Sequence, residues 1–230
     1  MSRLKHNVIA NYAGGFWTAL MGIAFVPFYI HYLGIEAYGL IGLYIALQAW
    51  FIVLDMGFTP SLNREMARFD ADSIDAHQAR QLIKTLEVIY CCTTLFAVLL
   101  IAALAPYITT YWLIVEQLDY SAVENALIIM GATVGLRWFS TLYRGAMMGL
   151  QRQVWLSGNS AIFATLRGPG VILVLKYIDA SVEAFFLYQA MLFAIECLVL
   201  RFKLNQLLPS VGKVKFSLDA IKRIWRFTAG

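Results

Sequence analysis

Two arginines interrupt long apolar stretches of this 230-residue chain, where a charged side chain is costly unless it faces a cavity or a partner. Arg167 follows Val154 by 13 residues, which on a helix places it roughly 20 Å from the start of its apolar run, beyond easy reach of either membrane surface. Arg137 lies about 10 Å inside the Arg144 end of its run, where an anchor bending back to lipid headgroups fits as well as a cavity residue. Both arginines are therefore candidates for binding a ligand in a transport cavity.

The three residues after Arg167 are Gly168, Pro169 and Gly170. Proline removes a backbone donor and the two glycines add flexibility, so the sequence predicts a helix break, either a kink or a local unwinding. Transporters place binding groups at such breaks. The alternative is a packing kink whose arginine pairs with a carboxylate on a neighbouring helix, and we favour the cavity over it.

Glu196 is the third deep charge, 14 residues after Val182 and five before Arg201. It could form an ion pair with an arginine, titrate as a proton carrier that couples transport, or lie near the inner membrane boundary. The boundary position is favoured because five residues span only about 7.5 Å of helix.

Patterns that carry catalysis are absent from the sequence. It contains no Ser/His/Asp arrangement, no glycine loop that could hold a phosphate and no paired carboxylates at a useful spacing. Its three cysteines and three histidines lack metal-ligand spacing. We therefore expect a protein that is not an enzyme and has no metal or other cofactor.

The elements that must position these charges are long apolar runs, and 60% of the residues are hydrophobic while only 14% are charged. Each run is long enough to cross a hydrocarbon core of roughly 30 Å as a helix. The sequence predicts an all-α membrane protein whose six transmembrane helices form a lobe over residues 1–204, with spans at about 8–31, 38–58, 84–106, 122–143, 154–176 and 182–204.

Basic residues fall almost entirely in alternate gaps between these runs. They precede the first run, follow the second and fourth, and recur after the sixth, whereas the gaps at 32–37 and 107–121 hold none. Because basic residues are retained on the cytoplasmic side, both termini are predicted to be cytoplasmic. Contact with anionic membrane lipids explains the net charge of +4, so we expect no nucleic acid partner.

Residues 205–230 differ from the preceding runs and are predicted to be a cytoplasmic linker. Leu218, Ile221 and Trp225 recur at helical spacing while Lys222 and Arg226 take other positions, which indicates an amphipathic helix on the inner membrane surface. The last residues suggest that a seventh apolar span follows.

The first seventy residues carry a family resemblance. The residues concerned are Asn11-Tyr12, Pro27, Tyr32-Leu33-Gly34, Tyr38-Gly39-Leu40, Leu54-Asp55-Met56-Gly57-Phe58, Ser61 and Arg64-Glu65. In order and spacing they resemble the amino-terminal signature of bacterial polysaccharide flippases, the polysaccharide-transporter branch of the multidrug/oligosaccharidyl-lipid/polysaccharide exporter superfamily. Beyond residue 70 the chain is similar mainly in span count, loop lengths and the stretch from Arg144 to Gly149.

The resemblance implies a protein of the bacterial inner membrane with two six-helix lobes. Such a protein moves an undecaprenyl-diphosphate-linked oligosaccharide, an O-antigen precursor of lipopolysaccharide for example, to the outer leaflet by alternating access. A cationic cavity suits a diphosphate cargo, for which Arg137 and Arg167 are the candidates; Arg64 is expected in a cytoplasmic loop. Six spans make one lobe, so a missing second lobe or a second chain is expected as a partner.

Two other functions remain open. A membrane glycosyltransferase or ligase of the same pathway would need catalytic residues in a substantial outer loop, and the outer loops here are short. An inactive or scaffolding membrane fragment would make Arg167 dispensable.

Overall fold

The computed structural model describes residues 2–55, 57–113, 118–212, 214 and 216–217, and every regular element among them is an α-helix. The helices are α1 (Ser2–Ala24), α2 (Val26–Leu54), α3 (Phe58–Asp70), α4 (Ala76–Tyr111), α5 (Tyr120–Gly149), α6 (Gln153–Tyr177) and α7 (Val182–Leu207).

Helices α2 and α4 to α7 each contain a stretch long and apolar enough to cross a membrane, and α1 contributes a shorter apolar segment, Val8–Ala24. The predicted spans 84–106, 122–143, 154–176 and 182–204 lie inside α4, α5, α6 and α7. The prediction of an all-α membrane protein is confirmed, and the chain is a multi-pass membrane protein.

The first predicted span, 8–31, is divided between α1 and α2 at Phe25. Pro27 has no N–H to donate to the preceding turn, and it lies instead in the first turn of α2, where that donor is not needed. Helix α2 in turn kinks at Gly34, whose φ of 84° suits glycine because it has no Cβ. This kink lies in the predicted turn at 32–37.

Helix α3 occupies part of what the sequence predicted as an inner loop, so Arg64 is a helical residue there. Leu62 and Met66, one turn apart, are fully buried. They pack where α5 carries Gly145 and Gly149, and a Cβ at Gly149 would lie 2.2 Å from the Asn63 carbonyl oxygen. The short helix thus docks through small residues on α5.

Helix α5 is the centre of the bundle and packs against α3, α4 and α7, whereas α1 packs mainly on α6. At Gly135 of α5 a Cβ would lie 2.6 Å from Thr94 of α4, so this close contact also depends on a missing side chain. At one end of the bundle Asn125 of α5 donates to Glu183 of α7 at 2.9 Å; at the other, Arg80 of α4 donates to the Pro209 carbonyl at 2.6 Å.

These contacts place the starts of α5 and α7 at one end of the bundle, and the start of α4 and the segment after α7 at the other; the cytoplasmic side stays a prediction. The predicted amphipathic helix around Leu218–Arg226 lies outside the described residues, because residues 218–230 are not among them.

Candidate functional site

A cavity of about 540 Å³ lies between α1, α5, α6 and α7. Three helices line it with residues at helical spacing, which places each set on one helix face. The sets are Asn11, Gly14, Gly15 and Thr18 on α1; Arg137, Ser140, Thr141, Arg144 and Met148 on α5; and Gln153, Leu156, Ser157, Ser160 and Arg167 on α6. Phe193 and Glu196 complete the wall from α7.

Glu196 joins two arginines from different helices. Arg144 of α5 donates through Nη2 to Oε1 of Glu196, and Arg167 of α6 donates through Nη2 to Oε2. Arg144 also donates through Nη1 to Ser160 Oγ at 2.8 Å. The Glu196 side chain is 1% exposed, so its charge depends on these two guanidinium groups for compensation.

Two residues of α7, Glu196 and Phe193, hold the Arg167 side chain in place. Its guanidinium carbon lies 4.0 Å from the centre of the Phe193 ring, a cation–π contact. Its Nε is buried and has no hydrogen-bond partner within the described part of the chain. Because an arginine binds an oxyanion best through two N–H groups, Arg167 keeps donor capacity that Glu196 does not use.

Arg137 differs from the other two arginines. It is exposed, it lines the cavity, and its guanidinium carbon lies 5.6 Å from the centre of the Phe193 ring. It forms no ion pair with any carboxylate of the described residues. The cavity wall therefore carries three positive charges and one negative charge, a net charge of +2, with the least compensated charge at Arg137.

Of the two forms of helix break predicted at Gly168, Pro169 and Gly170, local unwinding is not seen, because α6 stays helical through all three residues to Tyr177, and the kink stays a prediction. The two glycines are close-contact positions. A Cβ at Gly168 would lie 2.5 Å from the Phe25 ring, and one at Gly170 would lie 1.9 Å from the Tyr188 hydroxyl.

A side chain of α7 also supports the backbone of α6 beside the proline. The Tyr188 hydroxyl donates to the Leu166 carbonyl at 2.9 Å, next to Thr165, whose carbonyl Pro169 leaves without its usual N–H donor. Packing and this bond stabilise the helix against interruption.

Sequence reasoning brought Arg137 and Arg167 to one cavity but treated Arg144 as a marker of the inner loop. Arg144 is inside α5, and its spacing of seven residues from Arg137 places both on one face. That spacing, with Ser140 and Thr141 between, is the signal that could have identified it. Of the three interpretations of Glu196, the structure shows the ion pair with an arginine. A position in water at the membrane boundary is wrong, because the side chain is buried.

The sequence model of the polysaccharide biosynthesis protein family matches residues 4–230, nearly all of the chain. No curated protein and no solved structure shows significant similarity to it. The match covers all seven helices apart from the first two residues of α1, and therefore every residue of the cavity wall. This multi-pass membrane protein belongs to the polysaccharide biosynthesis protein family.

Proposed function

We propose that the chain is a flippase lobe of the bacterial inner membrane that moves an undecaprenyl-diphosphate-linked oligosaccharide to the outer leaflet by alternating access. Family membership supports a role in polysaccharide biosynthesis or export. The observation that carries the finer proposal is a cationic cavity built at the level of the membrane-spanning helices.

Charge and size of the cavity fit the diphosphate part of such a cargo. A volume of about 540 Å³ is in the range of ligand pockets, roughly 300 to 1,000 Å³. Diphosphate needs charge compensation away from water, and guanidinium groups give it through paired hydrogen bonds. Arg137 supplies the most accessible charge, and Arg167 supplies a second one deeper in the wall.

A second lobe or a second chain is part of the proposal, because alternating access requires two halves that rock about a shared site. The outer face of α1 is consistent with such a partner. Tyr12, Phe16 and Ile23 on α1 are each more than two-thirds exposed. They lie along the helix that lines one side of the cavity.

The test is surface glycan in cells that depend on the protein. With Arg137→Gln we expect surface glycan to be lost while the protein level in the membrane holds, because the charge for diphosphate is removed without breaking an ion pair. Arg167→Gln should also abolish surface glycan, measured per molecule of membrane-inserted protein. Arg152→Gln, an exposed arginine just before α6, is the matched control and should have no effect.

Two results would favour the other functions. Normal glycan with both cavity variants would contradict the site and favour a scaffold. Precursor that still reaches the outer leaflet but is not transferred would favour the glycosyltransferase or ligase.

A further inference from the structure

We infer that Glu196 is an internal counter-anion. Its carboxylate binds Arg144 and Arg167 while no cargo is bound, and it releases at least one of them when the diphosphate of the cargo binds. This inference rests on the proposed function. It assigns to Glu196 a positioning role in substrate binding.

The contacts of Glu196 imitate those of a bound oxyanion. Each of its two oxygens accepts a hydrogen bond from a guanidinium group on a different helix. Phosphate oxygens bind arginines through the same charge-assisted bonds. The carboxylate therefore uses donors that a diphosphate in the cavity would use.

The arginines are accessible to a competitor, but the glutamate is not. The side chains of Arg144 and Arg167 are 29% and 18% exposed, and both line the cavity, whereas that of Glu196 is 1% exposed. An anion can thus reach the guanidinium groups from the cavity while Glu196 remains behind them.

Charge decides the direction of the competition. A diphosphate diester carries two negative charges and more acceptor oxygens than a carboxylate, so it can satisfy both arginines and Arg137 together. While Glu196 is ionised it lowers the positive charge of the wall and competes for two of its three arginines. Neutralising Glu196 should consequently strengthen anion binding, although it removes two native contacts.

A second buried glutamate provides the matched control. Glu65 on α3 is also almost fully buried, and Arg64 and Arg68 contact it at 3.4 and 3.1 Å. None of these three residues lines the cavity. Glu65→Gln removes a carboxylate with the same chemistry at a place where no effect on the cavity is expected.

The experiment is binding of inorganic pyrophosphate to the purified protein in nanodiscs, measured by titration calorimetry at fixed ionic strength. Glu196→Gln should bind pyrophosphate at least about tenfold more tightly than the unsubstituted protein, which corresponds to about 1.4 kcal/mol of binding free energy. Glu65→Gln should bind as the unsubstituted protein does. Glu196→Asp keeps the charge on a side chain one methylene shorter, which should weaken its contacts with the guanidinium groups, so its affinity should be intermediate, and it serves if the Gln variant does not fold.

Equal or weaker binding to Glu196→Gln, with clear binding to the unsubstituted protein, overturns the inference and leaves Glu196 as a structural ion-pair residue. No binding to any variant overturns the proposed diphosphate cavity itself, and the inference with it. Tighter binding to both Gln variants would show a general charge effect and also overturn the assignment to Glu196.

Discussion

Arg137 and Arg167 line the same cavity, but their removal should have different energetic consequences. Replacing Arg167 by Gln leaves the buried Glu196 with only Arg144, and the loss of one charge-assisted hydrogen bond costs about 1.5–3 kcal/mol. Arg137 has no such pair, so Arg137→Gln should change the free energy of unfolding by no more than about 0.5 kcal/mol. Thermal unfolding of the purified variants in one detergent measures both, and equal losses would contradict the ion-pair arrangement.

Arg137 and Arg167 could be identified from the sequence because the depth of a residue in the membrane follows from its number of residues from the end of its helix. It could not assign Glu196, because pairing depends on how three helices pack around the cavity. Arg144 was missed because an arginine near the end of an apolar run is explained equally well by a membrane boundary and by a cavity. Only its position on the same face of α5 as Arg137 favours the cavity.

Among the helices, glycines on α5 and α6 should respond to substitution according to what surrounds them. Gly149→Ala would bring a Cβ to 2.2 Å from a backbone oxygen of α3, which cannot move cheaply, so we expect a loss of about 1–3 kcal/mol. Gly158→Ala on α6 meets nothing within 4 Å and should be neutral or stabilise by up to about 1 kcal/mol. Thermal stability in the same detergent tests the pair, and a harmless Gly149→Ala would contradict the docking of α3.

Gly170 gives an intermediate case. Its added Cβ would displace the end of the Tyr188 side chain and the hydrogen bond to Leu166, at a cost of about 1 kcal/mol. In Tyr188→Phe that bond is already absent and the nearest atom, the hydroxyl oxygen, is gone, which leaves the ring carbon Cζ at 2.7 Å as the closest contact. The cost of Gly170→Ala should therefore shrink in this background, and an unchanged cost would show that another contact limits the site.

The order of the long helices was predictable because an apolar run of about 20 residues forms a membrane-spanning helix and little else. Helix α3 was not, since a 13-residue helix with four charged residues has the composition of a polar loop, and its apolar face shows only once α5 is in place. Local unwinding at Pro169 could not be excluded from the sequence, because the sequence alone does not show that Phe25 and Tyr188 pack against the neighbouring glycines.

For the whole molecule, the charge pattern predicts which segments face the cytoplasm. Reporter fusions in the turn at 71–75 and in the loop at 150–152 should report a cytoplasmic position, and a fusion at 178–181 should report the opposite side. The contact between Arg80 and Pro209 requires the beginning of α4 and the end of α7 to share one side. A fusion series that places them on opposite sides would contradict the bundle.

Translocation itself tests the central claim most directly. The protein, as its gene encodes it, is reconstituted into liposomes that carry a fluorescent undecaprenyl-diphosphate oligosaccharide, and movement of the label between leaflets is followed by a membrane-impermeant quencher. We predict transfer by the unsubstituted protein and by Arg152→Gln, and loss of transfer with Arg137→Gln at equal protein content. Equal transfer by the unsubstituted protein and Arg137→Gln, or none by the unsubstituted protein, would contradict the account.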